Sequence, residues 1–352
     1  MKSLLNEDLF TFFNINNLKK YSRYTKFLNA VEIYDSIDIE NLLPEYALNE
    51  YNVEYDNALE KLSDLDSVKY SDRYLKYQAL FASLTNAKIN LLVYKSFLDI
   101  EKNETIKSCL RSFKPTKGYS DIVSYNACKT STGRLVVDRG PKILTLPKRC
   151  RGILQSSFEN GRVISVDFNA LEPRLFLKFN NEKCDGDIYE EISNRLEFQI
   201  DRSVIKRAII SILYGTSVNN LQNISDARKE EIYSTVINYF GYNNLLEKAS
   251  NINENDLRLN FFGRPINNLE EDKKHIIINN YVQSTAVDIS LSYFTELTNA
   301  LDTQKAKPLF VIHDAIVFDV AAEYHNKFVE IIEQGYNDKD LGHFPVAIED
   351  FN

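Results

Sequence analysis

The stretch RVISVDFNALEPRLFLKF, residues 162–179, changes character halfway along. Residues 162–168 form an alternating β-type run that ends around Asp167, and FNALEPR then leads into the apolar helical pattern LFLKF. An Asp at a strand–helix junction is ordinarily a turn former or a helix cap. A second stretch suggests another reading. PLFVI (308–312) and AIVFDV (315–320) are apolar β runs around the polar step His313–Asp314, the pattern of a hairpin. Carboxylates at the ends of neighbouring strands can share one or two divalent cations, and a two-ion site clamps the attacking and leaving oxygens of phosphoryl transfer. Sequence separation leaves open whether these strands are neighbours.

Between the two stretches lies DRSVIKRAIISILYG, residues 201–215. Arg202, Lys206, Ile210 and Tyr214 recur every four positions, so they drift by only ~40° per step and stay broadly on one side of a helix. Gly215 is a natural stop. Two cations one turn apart suit a polyphosphate; the apolar surface and Tyr beyond them suit a base. KTSTGRL (129–135) sets Thr132 and Gly133 before Arg134, where backbone can approach a ligand closely while the guanidinium reaches phosphate or a base edge. KRCRG (148–152) adds Lys148, Arg149 and Arg151, and FFGRP (261–265) adds Arg264. Asn279 and Gln283, four apart on a helical run at 279–297, can present two amides to minor-groove acceptors. Each of these features alone is ordinary protein surface.

The chain has 352 residues, enough for two or three lobes. With 44% apolar and 26% charged residues, 21 Phe and 21 Tyr, it is not a disordered chain; with 11 Gly and 8 Pro it is not collagen-like. No window approaches the ~18 apolar residues of a membrane span, and the N-terminus lacks the apolar core of a signal peptide, which points to the cytoplasm. The 4 Cys form no CxxC pair, which argues against zinc and against a disulfide framework. A net charge of −8 argues against coating nucleic acid by bulk charge, but a local basic cleft is compatible with it. Residues 1–115 read as helical, with one long helix expected over 72–100, joined by the polar link SVKYS to a partner at 51–65.

Taken in order, these segments resemble family A DNA polymerases. Asp167-Phe168-Asn169-Ala170-Leu171-Glu172-Pro173-Arg174 is similar to the family's first palm motif, and Ile312-His313-Asp314-Ala315 to its last. Arg202, Lys206, Tyr214 and Gly215 match the fingers helix, Thr132 to Leu135 the T-G-R-L element, Gln283 to Asp288 the Q-G-T-A-A-D element, and Phe262-Gly263-Arg264 an F-G-R element. The resemblance implies an α+β right-hand fold with an antiparallel palm sheet and helical fingers and thumb. It places the thumb at 1–125, the palm at 126–175 and 276–352, and the fingers at 176–275. It implies two Mg²⁺ ions, with Mn²⁺ as an alternative, on Asp167, Asp314 and the Phe168 carbonyl. Arg202 and Lys206 would take the triphosphate, Tyr214 would sit by the templating base, and Glu172 would select deoxyribose. Arg134, Thr132, Asn279, Gln283, His313, Arg264 and Arg149 would contact primer–template DNA, in a basic cleft also lined by Lys148 and Arg151.

The chain departs from the family pattern in places. Ile210 stands where the family has an aromatic ring under the sugar, so sugar selection is the property in question. Ser211 and Ser284 replace glycines, and Ala315 replaces an acid beside the last palm Asp. Tyr189 falls where the family has a His that reaches the triphosphate. Asp38-Ile39-Glu40 has the spacing of an exonuclease pair but too few residues precede the T-G-R element for that domain, so it reads as surface charge. The expectation is a minimal core of phage or plasmid type without proofreading, in a bacterial or phage-infected cell. It takes dNTPs, and a processivity factor or other replication protein would assist it. Two alternatives remain at this level: a single-subunit RNA polymerase or sugar-relaxed enzyme, and a non-catalytic protein that binds primer–template DNA.

Overall fold

The computed structural model describes residues 41–64, 68–182, 186–252, 258–266 and 273–352. The readings of residues 1–40, including Asp38–Glu40, lie outside these. The chain divides into two units, residues 1–75 with 263–265, and residues 76–262 with 266–352.

The first unit holds helix α1 (Glu45–Asp64) and the opening turns of α2 (Val68–Ser83). Ala47, Tyr51, Tyr55 and Ala58 are buried along α1 at intervals of three and four, the stripe an amphipathic helix turns inward. Arg264 is buried in this unit with its guanidinium 5.1 Å from the centre of the Tyr70 ring.

The second unit continues through β1 (Lys88–Ile89), α3 (Leu91–Ile100), α4 (Glu104–Arg111), β2 (Ser124–Asn126), β3 (Val136–Arg139), β4 (Leu154–Gln155) and β5 (Arg162–Phe168). The helices α5 (Leu171–Phe179), α6 (Ile188–Ser193), α7 (Arg202–Leu213), α8 (Asp226–Tyr239), α9 (Tyr242–Ser250) and α10 (Lys274–Ala300) follow. The chain closes with β6 (Ala306–Ile312), β7 (Ala315–Val320), α11 (His325–Ile332), β8 (Tyr336–Asp338), β9 (Gly342–Phe344) and β10 (Val346–Asp350). Among the described residues no helix is long and apolar enough to cross a membrane.

The central sheet is antiparallel, in the order β10-β5-β7-β6. Strand alternation gives it two faces. Ile164, Val166 and Phe168 of β5, with Ile316 and Phe318 of β7, are buried on one. There Phe168 packs edge-on against Tyr293 of α10, with ring centres 5.3 Å apart. The other face carries Asp167 at the strand end. Helices α5 to α10 are therefore inserted between β5 and β6, the first two strands of this sheet in chain order.

The long helix expected over 72–100 is instead two helices. The chain leaves α2 at Ser83, pairs Lys88–Ile89 with Leu154–Gln155, and restarts at α3, where the Asn90 side chain accepts a hydrogen bond from the Val93 N–H at 3.2 Å. The Thr85 N–H donates to Pro308 and Ala87 N–H to Ser120, so tertiary hydrogen bonds prevail over a continuous helical pattern here. α2 already begins at Val68, inside the expected link SVKYS. The helix read at 279–297 extends to Lys274–Ala300.

Candidate active site

The strands at 162–168 and 315–320 are neighbours. Asp167 pairs with Ala315 across β5 and β7, which sets it beside Asp314 at the hairpin tip. The two-residue turn is made with His313 at φ 55°, a left-handed conformation that an L side chain adopts at a cost. The Phe168 N–H donates to the Asp314 carbonyl at 3.4 Å and ties the tip to β5.

Both carboxyls are driven toward the neutral form. Burial, then the Asp314 charge, pushes the Asp167 carboxyl up to about 7, against the pull of the Phe168 N–H and Lys206. Asp314 is raised chiefly by burial, partly offset by its own backbone N–H and by His313, Arg134 and Lys206. Asp167 Oδ1 is buried and accepts no hydrogen bond. A pair of desolvated carboxylates with an unpartnered oxygen is costly in isolation and fits a hard divalent cation. Among the described residues no cluster of three or more His, Cys, Asp or Glu side chains could hold a metal, so the donor set is this pair with backbone.

A cleft of about 280 Å³ opens over the pair. Asp167, Phe168, Asp314, His313, Arg134, Glu172, Tyr189, Lys206, Ile210, Tyr214 and Gln283 all line it, so most residues singled out in the sequence meet here. Glu172 is held from two sides. Arg134 donates to Glu172 Oε1 at 2.9 Å, and the Tyr214 hydroxyl donates to Oε2. Arg134 also reaches the Tyr214 hydroxyl at 3.2 Å. Burial, then the Glu172 charge, pushes the Tyr214 phenol up to about 12, so it remains a donor. Glu172 stands in the first turn of α5, whose N-cap Ala170 is left-handed at φ 55°.

The cations of α7 lie over an aromatic floor. The Arg202 guanidinium is 5.3 Å and the Lys206 ammonium 5.5 Å from the centre of the Tyr189 ring, within cation–π range. Tyr189 is buried, and burial pushes its phenol up to about 12. Arg202 does not line the cleft; its guanidinium donates to Asp187 Oδ2 at 2.7 Å. Burial would raise the Asp187 carboxyl, but Arg202 and the Tyr189 N–H hold it below the usual range.

Other expected residues sit elsewhere. Asn279 lines a small neighbouring pocket with Gln283, Glu172 and Tyr214, so the two amides do share a side. Thr132 is buried. Arg149 is exposed and engaged with Glu101 at 2.6 Å. Arg264, expected as a cleft cation, is instead wholly buried over Tyr70, where a guanidinium cannot meet a phosphate without being uncovered. Arg174 was missed as a site element: its Nε donates to the Asn169 carbonyl at 2.9 Å and its second nitrogen to Gly186 at 2.8 Å, bracing the turn after Asp167. Asp187 was also missed; an Asp just before the helical IYEEIS is a cap signal, and its side chain does accept from the Tyr189 N–H.

Residues 58–349 match the model of DNA polymerase family A. Among solved structures, the polymerase domain of Pol1 from M. smegmatis, in complex with DNA primer-template and dNTP, is similar with a TM-score of 0.65 at 15% identity. The likeness covers 84% of this chain and 73% of that one. It establishes the α+β fold of a polymerase domain. No curated protein sequence matches the chain.

Proposed function

This chain belongs to DNA polymerase family A and is by that membership a DNA-directed DNA polymerase; we propose that it adds dNTPs to a primer 3′ end at the Asp167–Asp314 pair. The observation that carries the reading is the convergence of both carboxylates, Lys206, Glu172 and Tyr214 on one cleft. Asp167, Asp314 and the Phe168 carbonyl would hold Mg²⁺ ions, or Mn²⁺ in their place, which would supply a more acidic primer hydroxyl and charge stabilisation for the transferred phosphoryl group. Lys206, on the cleft wall, neutralises the triphosphate, and Arg202 joins it once it exchanges Asp187 for a phosphate oxygen. Tyr189 floors both cations. His313, at the hairpin tip, is the contact for the primer end.

Glu172 closes off the space a ribose 2′-hydroxyl would need. Its orientation does not depend on a ring at position 210, because Arg134 and Tyr214 hold both of its oxygens. This supports deoxyribose selection despite Ile210 and favours a DNA over an RNA product. Two retained, mutually repelling carboxylates support catalysis over mere duplex binding.

We assign the sheet, with the start of α5, to the palm, helices α6 to α9 to the fingers and the first helices to the thumb. The polymerase match takes up residues 58–349. With a net charge of −8 it has little bulk attraction for DNA, so long synthesis, in the cytoplasm, calls for a processivity partner. The test is primer extension on a primed DNA template with Mg²⁺, offering dNTPs and rNTPs separately. Extension with dNTPs alone supports the reading. Equal extension with both removes the sugar gate. No extension, with primed DNA still bound, points to a binding protein.

A further inference from the structure

Asp167 has two cross-strand neighbours, Ala315 on β7 and Ala347 on β10. Neither carries charge. The same face continues along β5 to Ser165, whose partner on β10 is Glu349. Paired residues of adjacent strands share a face, so the exposed Glu349 lies on the sheet face that bears Asp167, one pair further along, and the buried Asp319 of β7, paired with Val163, lies on it beyond. The Glu349 charge adds to that of Asp314 in raising the Asp167 carboxyl.

A cation accompanies it. Arg151 lies in the 3₁₀ turn over Lys148–Ile153, with its guanidinium 4.1 Å from the centre of the Phe351 ring. Phe351 is anchored by its N–H to the Val163 carbonyl at 2.9 Å, which fixes that ring against β5. Arg151 Nε is buried and donates no hydrogen bond. Burial lowers this guanidinium, and the charges of Glu349 and Asp167 draw it back up. Arg151 is half-buried, with only its Nε fully covered, and its charge reaches both carboxylates through space.

We infer that Glu349 and Arg151 together set the affinity of the Asp167–Asp314 pair for divalent cations, Glu349 strengthening it and Arg151 weakening it. The inference rests on the proposed metal-binding role of that pair. Neither residue touches the reacting atoms; both are positioning residues that work through the charge at Asp167. The arrangement gives a site built from only two carboxylates a further negative charge nearby, with a cation that limits the repulsion when no metal is bound.

The test is titration of the full chain with Mn²⁺ alone, without DNA or nucleotide, reading free Mn²⁺ by electron paramagnetic resonance. Thermal melting of each variant establishes that it is folded. Glu349→Gln should weaken Mn²⁺ binding and Arg151→Gln should tighten it, each by roughly threefold to tenfold, the size of one unit charge acting through partly solvated protein. Arg151→Lys, which keeps the charge, should bind as the wild type does, and the Glu349→Gln/Arg151→Gln double variant should fall between the singles. A merely structural role would not move the two singles in opposite directions. If Asp167→Asn abolishes binding while Glu349→Gln and Arg151→Gln leave it unchanged or shift it the same way, the inference is overturned. If Asp167→Asn itself binds Mn²⁺ as tightly as the wild type, the metal reading beneath it fails instead.

Discussion

Arg134 and Glu172 lie 38 positions apart in sequence and 2.9 Å apart in the fold. That pair joins the T-G-R loop to the first turn of α5, and Tyr214 closes the group from the end of α7. Three segments far apart in the chain thus fix one carboxylate at the mouth of the cleft. If Glu172 is the sugar gate, Glu172→Ala should raise the efficiency of rNTP addition relative to dNTP by roughly 10- to 200-fold, the range for one steric contact in a pocket. Competing dNTP and rNTP extension reads this ratio directly, and an unchanged ratio removes Glu172 from selection.

Arg202 is held by Asp187. The Arg202 side chain is 62% exposed, and exposed pairs are worth only ~0.2–1 kcal/mol. Freeing Arg202 should therefore lower the KM for dNTP by no more than about fivefold in Asp187→Asn, while Arg202→Ala raises it. Asn caps helices as well as Asp does, so the melting temperature of Asp187→Asn should barely move. Steady-state kinetics with kcat and KM separated decide the matter.

The raised Asp167 carboxyl has a consequence for stability. Its folded value of about 7 lies above its ordinary 3.8, so the folded state binds more protons in that window and loses stability as pH rises through it. Asp167→Asn removes the repulsion. With metal chelated, this variant should melt above the wild type at pH 8, and the gain should vanish near pH 4, where the wild-type carboxyl is neutral. Melting curves across that range test the sign; a variant less stable at pH 8 would contradict the electrostatic account.

The break between α2 and α3 makes its own prediction. Asn90→Ala removes the side-chain acceptor for the Val93 N–H and should cost about 1 kcal/mol. Denaturant unfolding reads the loss. No loss would mean that the cap at Asn90 does not fix the start of α3.

Much of the site was legible because local patterns carried it. The alternation in 162–168, the polar step at His313–Asp314 and the four-residue spacing from Arg202 to Tyr214 all became the elements they suggested. The break at residues 84–90 was not legible, because it depends on pairing with Leu154–Gln155 and on bonds to Pro308 and Ser120, all distant in sequence. Glu349 was hidden for the same reason: its place on the face that bears Asp167, opposite Ser165, is set by the β5–β10 register, and Val346–Asp350 alone is a short, partly charged run. Arg264 misled because a Gly–Arg pair looks the same whether the guanidinium meets solvent or packs on Tyr70. Asp187 and Arg174 carried ordinary capping and bracing signals that only the assembled site turns into positioning roles.

The most direct test of the central claim is single-turnover addition of one correct dNTP to a primed template by the wild type and by Asp314→Asn, with primer–template affinity measured alongside. The account predicts that Asp314→Asn binds the duplex as the wild type does and adds no nucleotide on the timescale on which the wild type completes the reaction. Addition by Asp314→Asn at the wild-type rate would contradict it, because the chemistry would then not need the carboxylate pair.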